Sequence, residues 1–171
     1  MSKTKPRFIC DCMLARLGRW LRLLGCDTLI SNNLNDDELI QIISEETGER
    51  RILITRDVDL YRRAVRKGLE AFLLTSNSHI EQIAEIAHHY NLEVLVDPAL
   101  SRCPLCNGQL EKVKDTAKLT NLVSINTLRA YKDFWLCRQC KQVFWQGRMW
   151  SNIMKAVKRI KDFKNELKST G

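Results

Sequence analysis

The sequence predicts an α/β fold: helices flank a mainly parallel sheet, and a small cysteine-rich unit and a basic helix follow. Two observations support this prediction. Short β-branched runs alternate with segments of helical periodicity through the first hundred residues. Two Cys-x-x-Cys pairs and a lysine-rich amphipathic segment then follow in residues 101–171.

Nine segments make up the alternating part of the chain. Gly25, Gly48 and Gly68 each follow a helical segment, at the place where a C-terminal cap is expected. In a parallel sheet the carboxyl ends of the strands meet at one rim, and functional sites lie there. The predicted strands are residues 7–11, 27–30, 51–55, 70–74 and 93–96, and the predicted helices are residues 13–24, 36–46, 58–67 and 79–90.

The 171 residues are expected to form a main domain over residues 1–98, a cysteine-rich unit over 99–150 and a basic helical tail over 151–171. No apolar run approaches the roughly 18 residues that cross a bilayer, and Arg16 and Arg19 interrupt the apolar segment near the N-terminus. We therefore expect a cytoplasmic protein. In that compartment, seven cysteines indicate metal ligation or buried thiols rather than disulfides.

Charge is divided unevenly along the chain. Residues 1–100 carry 13 Lys and Arg against 15 Asp and Glu, a net charge of −2, whereas residues 101–171 carry 15 against 5, a net charge of +10. An acidic half joined to a basic half suggests that one part holds a polyanion and presents it to the other. This division favours a nucleic acid as the partner. A basic tail that only keeps the protein soluble is the alternative.

Four cysteines form two Cys-x-x-Cys pairs separated by 30 residues. This spacing is typical of structural Zn²⁺ sites, because each pair can direct both sulfurs at one ion. Four sulfurs close the coordination shell, so the metal is expected to hold the fold and not to perform chemistry. A redox disulfide is the alternative, although redox pairs usually occur singly. The predicted zinc ligands are Cys103, Cys106, Cys137 and Cys140.

Acidic residues follow three of the predicted strands. Asp11 closes the first strand, Asp57 and Asp59 follow the third, and a group of three acids opens the second helix. Converging carboxylates repel one another unless a hard cation neutralises them, and Mg²⁺ or Mn²⁺ prefers oxygen ligands. Such a metal site can activate water for phosphodiester hydrolysis. The three acids at the second helix are Asp36, Asp37 and Glu38.

Helix capping is the alternative for each acid at a helix start. Asn35 or Asp36 can cap the second helix, and Asp57 can cap the next one. Glu38 can complete a capping box. Taken singly, these acids are better explained as caps. Asp11 instead ends an otherwise apolar strand, and the three acidic groups on one rim together favour a site.

Basic side chains near the same rim are candidates for binding substrate. Arg16, Arg19 and Arg22 recur every third residue on the first predicted helix. Arg56 adjoins Asp57 after the third strand. A solvated helix face explains the arginine stripe equally well.

Four aromatic residues flank the second cysteine pair. They can stack on bases, but a unit this small also needs aromatic packing, so at least half of them are expected in its core. The histidines, among them His79, lack the company of other metal ligands and are expected to be ordinary surface residues. The four aromatic residues are Phe134, Trp135, Phe144 and Trp145.

Several of these stretches, in this order, resemble the mutator-seven C-terminal ribonuclease domain family. The resemblance implies a PIN-like nuclease domain followed by a zinc ribbon. It assigns metal-binding roles to Asp11, to the group from Asp36 to Glu38, in which we favour Asp36 and Glu38, and to Asp57 with Asp59. The matching stretches are FICDCMLARLGRWLRLLGCDT, NDDELIQI, RILITRDVDL, SRCPLCNGQLEKV and YKDFWLCRQCKQVFWQGRMW.

The sequence and the resemblance together predict a metal-dependent ribonuclease with endonucleolytic action. Mg²⁺ or Mn²⁺ is expected on Asp11, Asp57 and one acid at a helix start, while Arg16, Arg19 and Arg56 bind the substrate. The zinc ribbon and the basic tail are expected to bind RNA. One alternative is a non-catalytic RNA-binding or ribonucleoprotein-associated protein with a vestigial acidic site, and another is a module that docks a protein partner.

Overall fold

The structure, a computed structural model, describes residues 5–31, 33–48 and 50–169. Its larger unit is built on a four-stranded parallel sheet in the order β2-β1-β3-β4. The two central strands, β1 and β3, are buried along their whole length, because helices cover both faces of the sheet. The strands are β1 Phe8–Cys10, β2 Thr28–Ile30, β3 Ile52–Thr55 and β4 Ala71–Leu73.

Four helices connect or follow these strands, close to the predicted positions. They confirm the prediction of an α/β fold with a parallel sheet flanked by helices. A short 3₁₀ turn at Cys12–Leu14 precedes the first of them. The helices are α1 Ala15–Leu23, α2 Asp36–Glu45, α3 Val58–Arg66 and α4 His79–His89.

The fifth predicted strand, residues 93–96, is wrong. Val94 and Val96 are buried and Glu93 and Leu95 are exposed, so the alternation in the sequence does report burial. The segment nevertheless pairs with no strand of the described sheet. Alternation predicts which side chains face the core, but it does not supply the neighbouring backbone that a strand needs.

A second, antiparallel sheet in the order β5-β6-β7 forms the cysteine-rich unit, residues 101–147, which we call the ribbon. A small core of Leu119, Val123, Phe134 and Val143 lies within it. The final helix, α6, follows directly. The elements are β5 Leu110–Lys112, α5 Ile125–Ala130, β6 Phe134–Cys137, β7 Val143–Trp145 and α6 Arg148–Ser169, with a 3₁₀ turn at Thr116–Leu119.

Helix α6 folds back onto the larger unit. Val157 and Ile160 of α6 are buried in the same hydrophobic core as Phe8 of β1. The ammonium of Lys164 donates a hydrogen bond to the carbonyl of Leu92, just after α4. Burial lowers the pKa of Lys164. The helix therefore belongs to the core of the larger unit, and it begins three residues before the tail predicted from the sequence.

The two faces of the sheet carry separate cores. Phe8 and Cys10 of β1 lie in a core with α1, α4 and α6, whereas Ile9 lies in a core with α2 and α3. Helix α1 leads from β1 to its neighbour β2 on the first face, and α3 leads from β3 to β4 on the other. The chain therefore leaves β1 and β3 towards opposite faces, which opens a crevice at their carboxyl ends.

Gly18 allows α1 to lie close to the sheet. A Cβ atom at this position would stand 2.7 Å from Cγ1 of Ile30, at the end of β2, and 3.6 Å from Sγ of Cys10. A larger residue would push α1 away from the sheet. Because α1 starts next to the carboxyl end of β1, this close packing also places the start of α1 at the rim of the sheet.

Arg22 joins the larger unit to the ribbon. Its Nε donates to the carbonyl of Thr28 over 2.8 Å, and its Nη1 donates to the carbonyls of Pro104 and Leu105 over 2.9 and 3.0 Å. Only 5% of Arg22 is exposed, and this burial lowers its pKa. The predicted stripe of substrate-facing or solvated arginines is therefore wrong for Arg22, because its side chain bonds the backbone of the first cysteine pair.

A second polar contact joins the two units at Asp27. Its Oδ1 accepts hydrogen bonds from Arg51 and from the amide of Asn107, over 2.8 and 2.7 Å. Oδ1 of Asn107 in turn accepts from the backbone N–H of Thr28. Burial raises the pKa of Asp27, but the bonds from Arg51 and Asn107 outweigh it and hold this pKa well below its usual range. The contact is therefore charged at neutral pH.

None of the helices in the described residues is long and apolar enough to span a membrane.

The position of α6 in the core leads to a prediction about stability. Ile160 is fully buried, so Ile160→Ala should lower the free energy of unfolding by about 2–5 kcal/mol. Met154, on the same helix, is 42% exposed, and Met154→Ala should cost less than about 1 kcal/mol. Urea unfolding followed by circular dichroism measures both. Equal, small losses would contradict the packing of α6 described above.

Candidate functional site

Asp11 and Asp57 lie at the crevice between the carboxyl ends of β1 and β3. Thr55, the last residue of β3, connects them and is itself fully buried. Its hydroxyl donates to Oδ2 of Asp11 over 2.8 Å and accepts from the backbone N–H of Asp57 over 3.0 Å. Two of the predicted acids are therefore brought to the same part of the rim through Thr55, the one polar residue of β3.

Each of these acids also caps the element that follows it. Oδ1 of Asp11 accepts from the backbone N–H of Met13, at the start of the 3₁₀ turn. Oδ1 of Asp57 accepts from the backbone N–H groups of Asp59 and Leu60, over 2.7 and 2.9 Å. Capping and a further role are compatible, since these bonds all end on one oxygen of each carboxylate.

The acids at the start of α2 have other partners. Asn35 and Glu38 form a capping box: Oδ1 of Asn35 accepts from the N–H of Glu38 over 3.0 Å, and Oε2 of Glu38 accepts from the N–H of Asn35 over 2.8 Å. Asp36 pairs with Arg63 of α3 over 3.2 Å, and Asp37 pairs with the same guanidinium. Sequence reasoning missed Arg63, because only the packing of α3 beside α2 brings it there.

The predicted acids do not form a complete metal-binding group as they stand. Among residues 5–31, 33–48 and 50–169, the four cysteines are the only set of three or more Cys, His, Asp or Glu side chains placed to hold a metal ion. The side chain of Asp59 is 89% exposed and faces Arg62 at 3.8 Å. The structure therefore joins Asp11 with Asp57 and leaves the remaining acids outside this pair.

Basic side chains lie near the same rim. Arg16 and Arg19 are exposed on α1, and the guanidinium of Arg56 donates to Oδ1 of Asn77 over 2.5 Å. The pKa of His79, at the start of α4, is lowered by its burial and by the positive charges of Arg16 and Arg159. His79 is half-buried rather than an ordinary surface residue.

Arg159 is a residue that the sequence could not assign to this rim. It lies on α6, 80 residues after His79 along the chain. Its electrostatic effect on His79 follows from the packing of α6 against α4. In the sequence it is one of several basic residues of an amphipathic helix, and nothing in that pattern tells which of them faces the rim.

The four cysteines of the ribbon converge on one point. Their sulfur atoms all lie within 4.8 Å of one another. The Sγ atoms of Cys103 and Cys140 are 3.7 Å apart, and those of Cys106 and Cys137 are 3.3 Å apart. The group can therefore hold a metal ion such as zinc, as the spacing in the sequence predicts.

The two cysteine pairs share one backbone geometry. Cys103 N–H donates to the carbonyl of Gly108, five residues on, and Cys137 N–H donates to the carbonyl of Gln142, also five residues on. The residue after each pair, Asn107 or Lys141, has a positive φ, of 69° or 62°. This repeated turn directs both sulfurs of a pair to the same side.

Backbone donors favour thiolates at this group, which fits a cationic ligand. Gly108 N–H donates to Sγ of Cys106 over 3.4 Å, and Cys140 N–H donates to Sγ of Cys137 over 3.5 Å. Burial raises the pKa of Cys137, but hydrogen bonds led by the one from Cys140 lower it overall to about 7. Burial raises the pKa of Cys103 to about 12, so the metal-free group holds its protons unequally.

The four aromatic residues beside the second cysteine pair divide into two buried and two more accessible side chains. Phe134 and Trp135 are buried, while Phe144 is half-buried and Trp145 is 36% exposed. This confirms that at least half of them serve the core. The accessible pair remains a candidate for contact with a ligand.

Comparison with known proteins identifies one family. Residues 6–157 match the model of the Mut7-C RNAse domain. The match spans the parallel sheet, the Asp11–Asp57 pair, the four cysteines and the first part of α6. No curated protein and no solved structure gives a significant match to the chain.

The cysteine geometry predicts a removable metal. Purified protein should contain about one zinc ion per chain, and Cys137→Ser should lose it, because three sulfurs do not close the tetrahedral site. Cys12→Ser is the matched control, since Cys12 is exposed and lies outside the group. Elemental analysis after dialysis measures the metal. A folded wild-type protein without metal would contradict the prediction.

Proposed function

Because the chain belongs to the Mut7-C RNAse domain family, we propose that it is a metal-dependent ribonuclease that hydrolyses RNA phosphodiester bonds. The observation that carries this proposal is the placement of Asp11 and Asp57 where the strand order of a parallel sheet reverses: the hydroxyl of Thr55 bonds the carboxylate of Asp11 and the backbone N–H of Asp57. This is the place where α/β proteins bind their ligands.

Asp11 and Asp57 are proposed to hold Mg²⁺ or Mn²⁺, since both offer carboxylate oxygens and both residues bond the hydroxyl of Thr55. An acid at the start of α2, Asp36 or Glu38, would complete the set. The pairing of Asp36 with Arg63 does not oppose this, because half of the Asp36 side chain is exposed and such surface ion pairs contribute only about 0–1 kcal/mol. Asp59 is a weaker candidate on account of its exposure.

When bound, the metal ion supplies an activated water and stabilises the negative charge that develops on the phosphate. The chain's own residues have separate tasks. Thr55 orients the carboxylate of Asp11. Arg16, Arg19 and Arg56 bind phosphates of the substrate through their guanidinium groups. Asp57 and Arg56 are exposed at the rim, so an internal segment of an RNA chain can lie across it, which favours endonucleolytic cleavage.

The zinc ribbon and α6 are proposed to bind RNA away from the reacting bond. Zinc at the four cysteines would be structural, because four sulfurs leave no position for water. The net charge of +10 in residues 101–171 favours contact with the RNA backbone. Lys155, Lys158 and Lys161 are exposed along α6. None of the seven cysteines, all of which lie in the described residues, forms a disulfide, and this favours a cytoplasmic location.

A second function is favoured by one specific observation: the acids at the start of α2 stand apart from Asp11 and Asp57 in the described residues. If they do not join the pair when metal is present, the rim is vestigial. The protein is then a non-catalytic RNA-binding or ribonucleoprotein-associated component. RNA binding without metal-dependent cleavage would select this function.

Substitution by asparagine separates capping from catalysis. Asn is as good a helix cap as Asp, so Asp57→Asn should keep α3 intact while removing the charge that a metal ion needs. Asp11→Asn likewise keeps an acceptor for Met13. Each variant should lower Mn²⁺-dependent cleavage of labelled RNA by at least about 100-fold, more than the loss of an outer-shell partner costs. RNA affinity should be unchanged or slightly higher.

Asp133→Asn is the control for these variants. Asp133 is an exposed acid of the ribbon that pairs with Lys112 on the surface, so its loss removes the same charge away from the rim. This variant should cleave RNA like the wild type. Unchanged cleavage in Asp11→Asn and Asp57→Asn would mean that these acids only cap, and the proposed active site would be refuted.

A further inference from the structure

The ribbon carries an open groove of about 570 Å³. It lies between α5, β7 and the first residues of α6. Aromatic, amide and basic side chains share its wall. The lining residues used in the argument below are Asn126, Thr127, Tyr131, Trp145, Gly147 and Arg148.

We propose that this groove binds an unpaired base of RNA, stacked on the rings of Trp145 and Tyr131, with the adjoining phosphate at Arg148. The inference rests on the proposed function, because it names the form of RNA that a ribonuclease of this kind would hold. In this proposal the ribbon contacts the bases of RNA, in addition to the electrostatic attraction between its basic surface and the RNA backbone.

The first argument is the setting of Trp145. It lies opposite the fully buried Phe134 in the antiparallel register of β6 and β7, with ring centroids 6.1 Å apart. The ring of Tyr131 also lies beside Trp145, and the centroids of these two rings are 6.4 Å apart. Two rings thus support an indole that remains 36% exposed. A supported but accessible aromatic surface is what a stacked base requires.

The second argument is Gly147. A Cβ atom at this position would stand 2.7 Å from Nε1 of Trp145, 3.1 Å from its Cδ1 and 3.6 Å from the hydroxyl of Tyr131. The backbone at Gly147 therefore runs against the edge of the indole, and any larger residue would displace the ring. The absence of a side chain keeps Trp145 and Tyr131 in the positions that shape the groove.

The third argument is the chemistry of the wall. None of the lining residues within the described part of the chain is acidic. Asn126 and Thr127 offer amide and hydroxyl groups that can hydrogen-bond the edge of a base. Arg148 offers a guanidinium for a phosphate. RNA is favoured over a protein partner because the groove opens at the start of α6, and α6 continues the positive charge with Lys155.

The experiment compares two probes with the same backbone charge. A short single-stranded oligouridylate and an abasic oligoribonucleotide of the same length are each titrated with the full-length, zinc-loaded protein without added Mg²⁺ or Mn²⁺. Fluorescence anisotropy of an end label measures affinity. The wild type should bind the base-bearing probe more tightly than the abasic one by about 5- to 100-fold, the value of one stacked base. Equal affinities would overturn the proposal, whatever the variants do.

Variants then locate the contact. Trp145→Ala should remove the preference for the base-bearing probe, and Trp145→Phe should keep most of it. Arg148→Gln should weaken both probes, whereas Arg129→Gln is the control, since Arg129 is an exposed basic residue of α5 outside the groove. A Trp145→Ala protein that keeps the full preference would overturn the assignment. The assignment would also be overturned if none of these groove variants changed RNA binding. That result is expected if the groove binds a protein instead.

Failure of this inference and failure of the proposed function give different results. If the rim is not catalytic, neither the wild type nor any variant cleaves RNA. The wild type still prefers the base-bearing probe, and this preference still depends on Trp145. If the groove does not bind bases, cleavage at the rim persists and still depends on Asp11, but the preference is absent.

Discussion

The hydrogen bond from Thr55 to Asp11 is the contact on which the candidate site depends. It crosses from β3 to β1, the two central strands, from which the chain continues to opposite edges of the sheet, β1 to β2 and β3 to β4. The same hydroxyl accepts from the N–H of Asp57, so one buried side chain sets the positions of both acids. The geometry of a parallel sheet creates the crevice, and Thr55 holds Oδ2 of Asp11 at the end of β3.

The ribbon and α6 are attached to this sheet by specific contacts. Buried Arg22 bonds the carbonyls of Pro104 and Leu105 beside the first cysteine pair, and Asp27 bonds Asn107. Helix α6 returns from the ribbon and packs beside α4, which brings Arg159 into the electrostatic neighbourhood of the rim. These contacts hold the basic half of the chain against the acidic half.

Much of this arrangement could be predicted from the sequence, because strand ends and metal-ligand spacings are local features. Asp11 and Asp57 follow apolar strands, and the cysteine pairs have the spacing of a metal site. The contacts that could not be predicted involve residues far apart in the sequence. Two partners of Arg22 lie more than 80 residues away along the chain, so its spacing from Arg16 and Arg19 predicts an exposed stripe instead. The pairing of Arg63 with Asp36 depends on how two helices pack.

The most direct test of the account is to measure Mn²⁺ binding by titration calorimetry. Three proteins are compared: the wild type, Thr55→Val and Thr75→Val. Valine fills the space of threonine but cannot donate to Asp11, whereas Thr75 is exposed and bonds Glu85 away from the pair. Loss of such an outer-shell partner should weaken Mn²⁺ binding by about 10- to 100-fold in Thr55→Val and leave Thr75→Val like the wild type. Equal Mn²⁺ affinity in all three proteins, or no Mn²⁺ binding by the wild type, would contradict a metal site at Asp11 and Asp57.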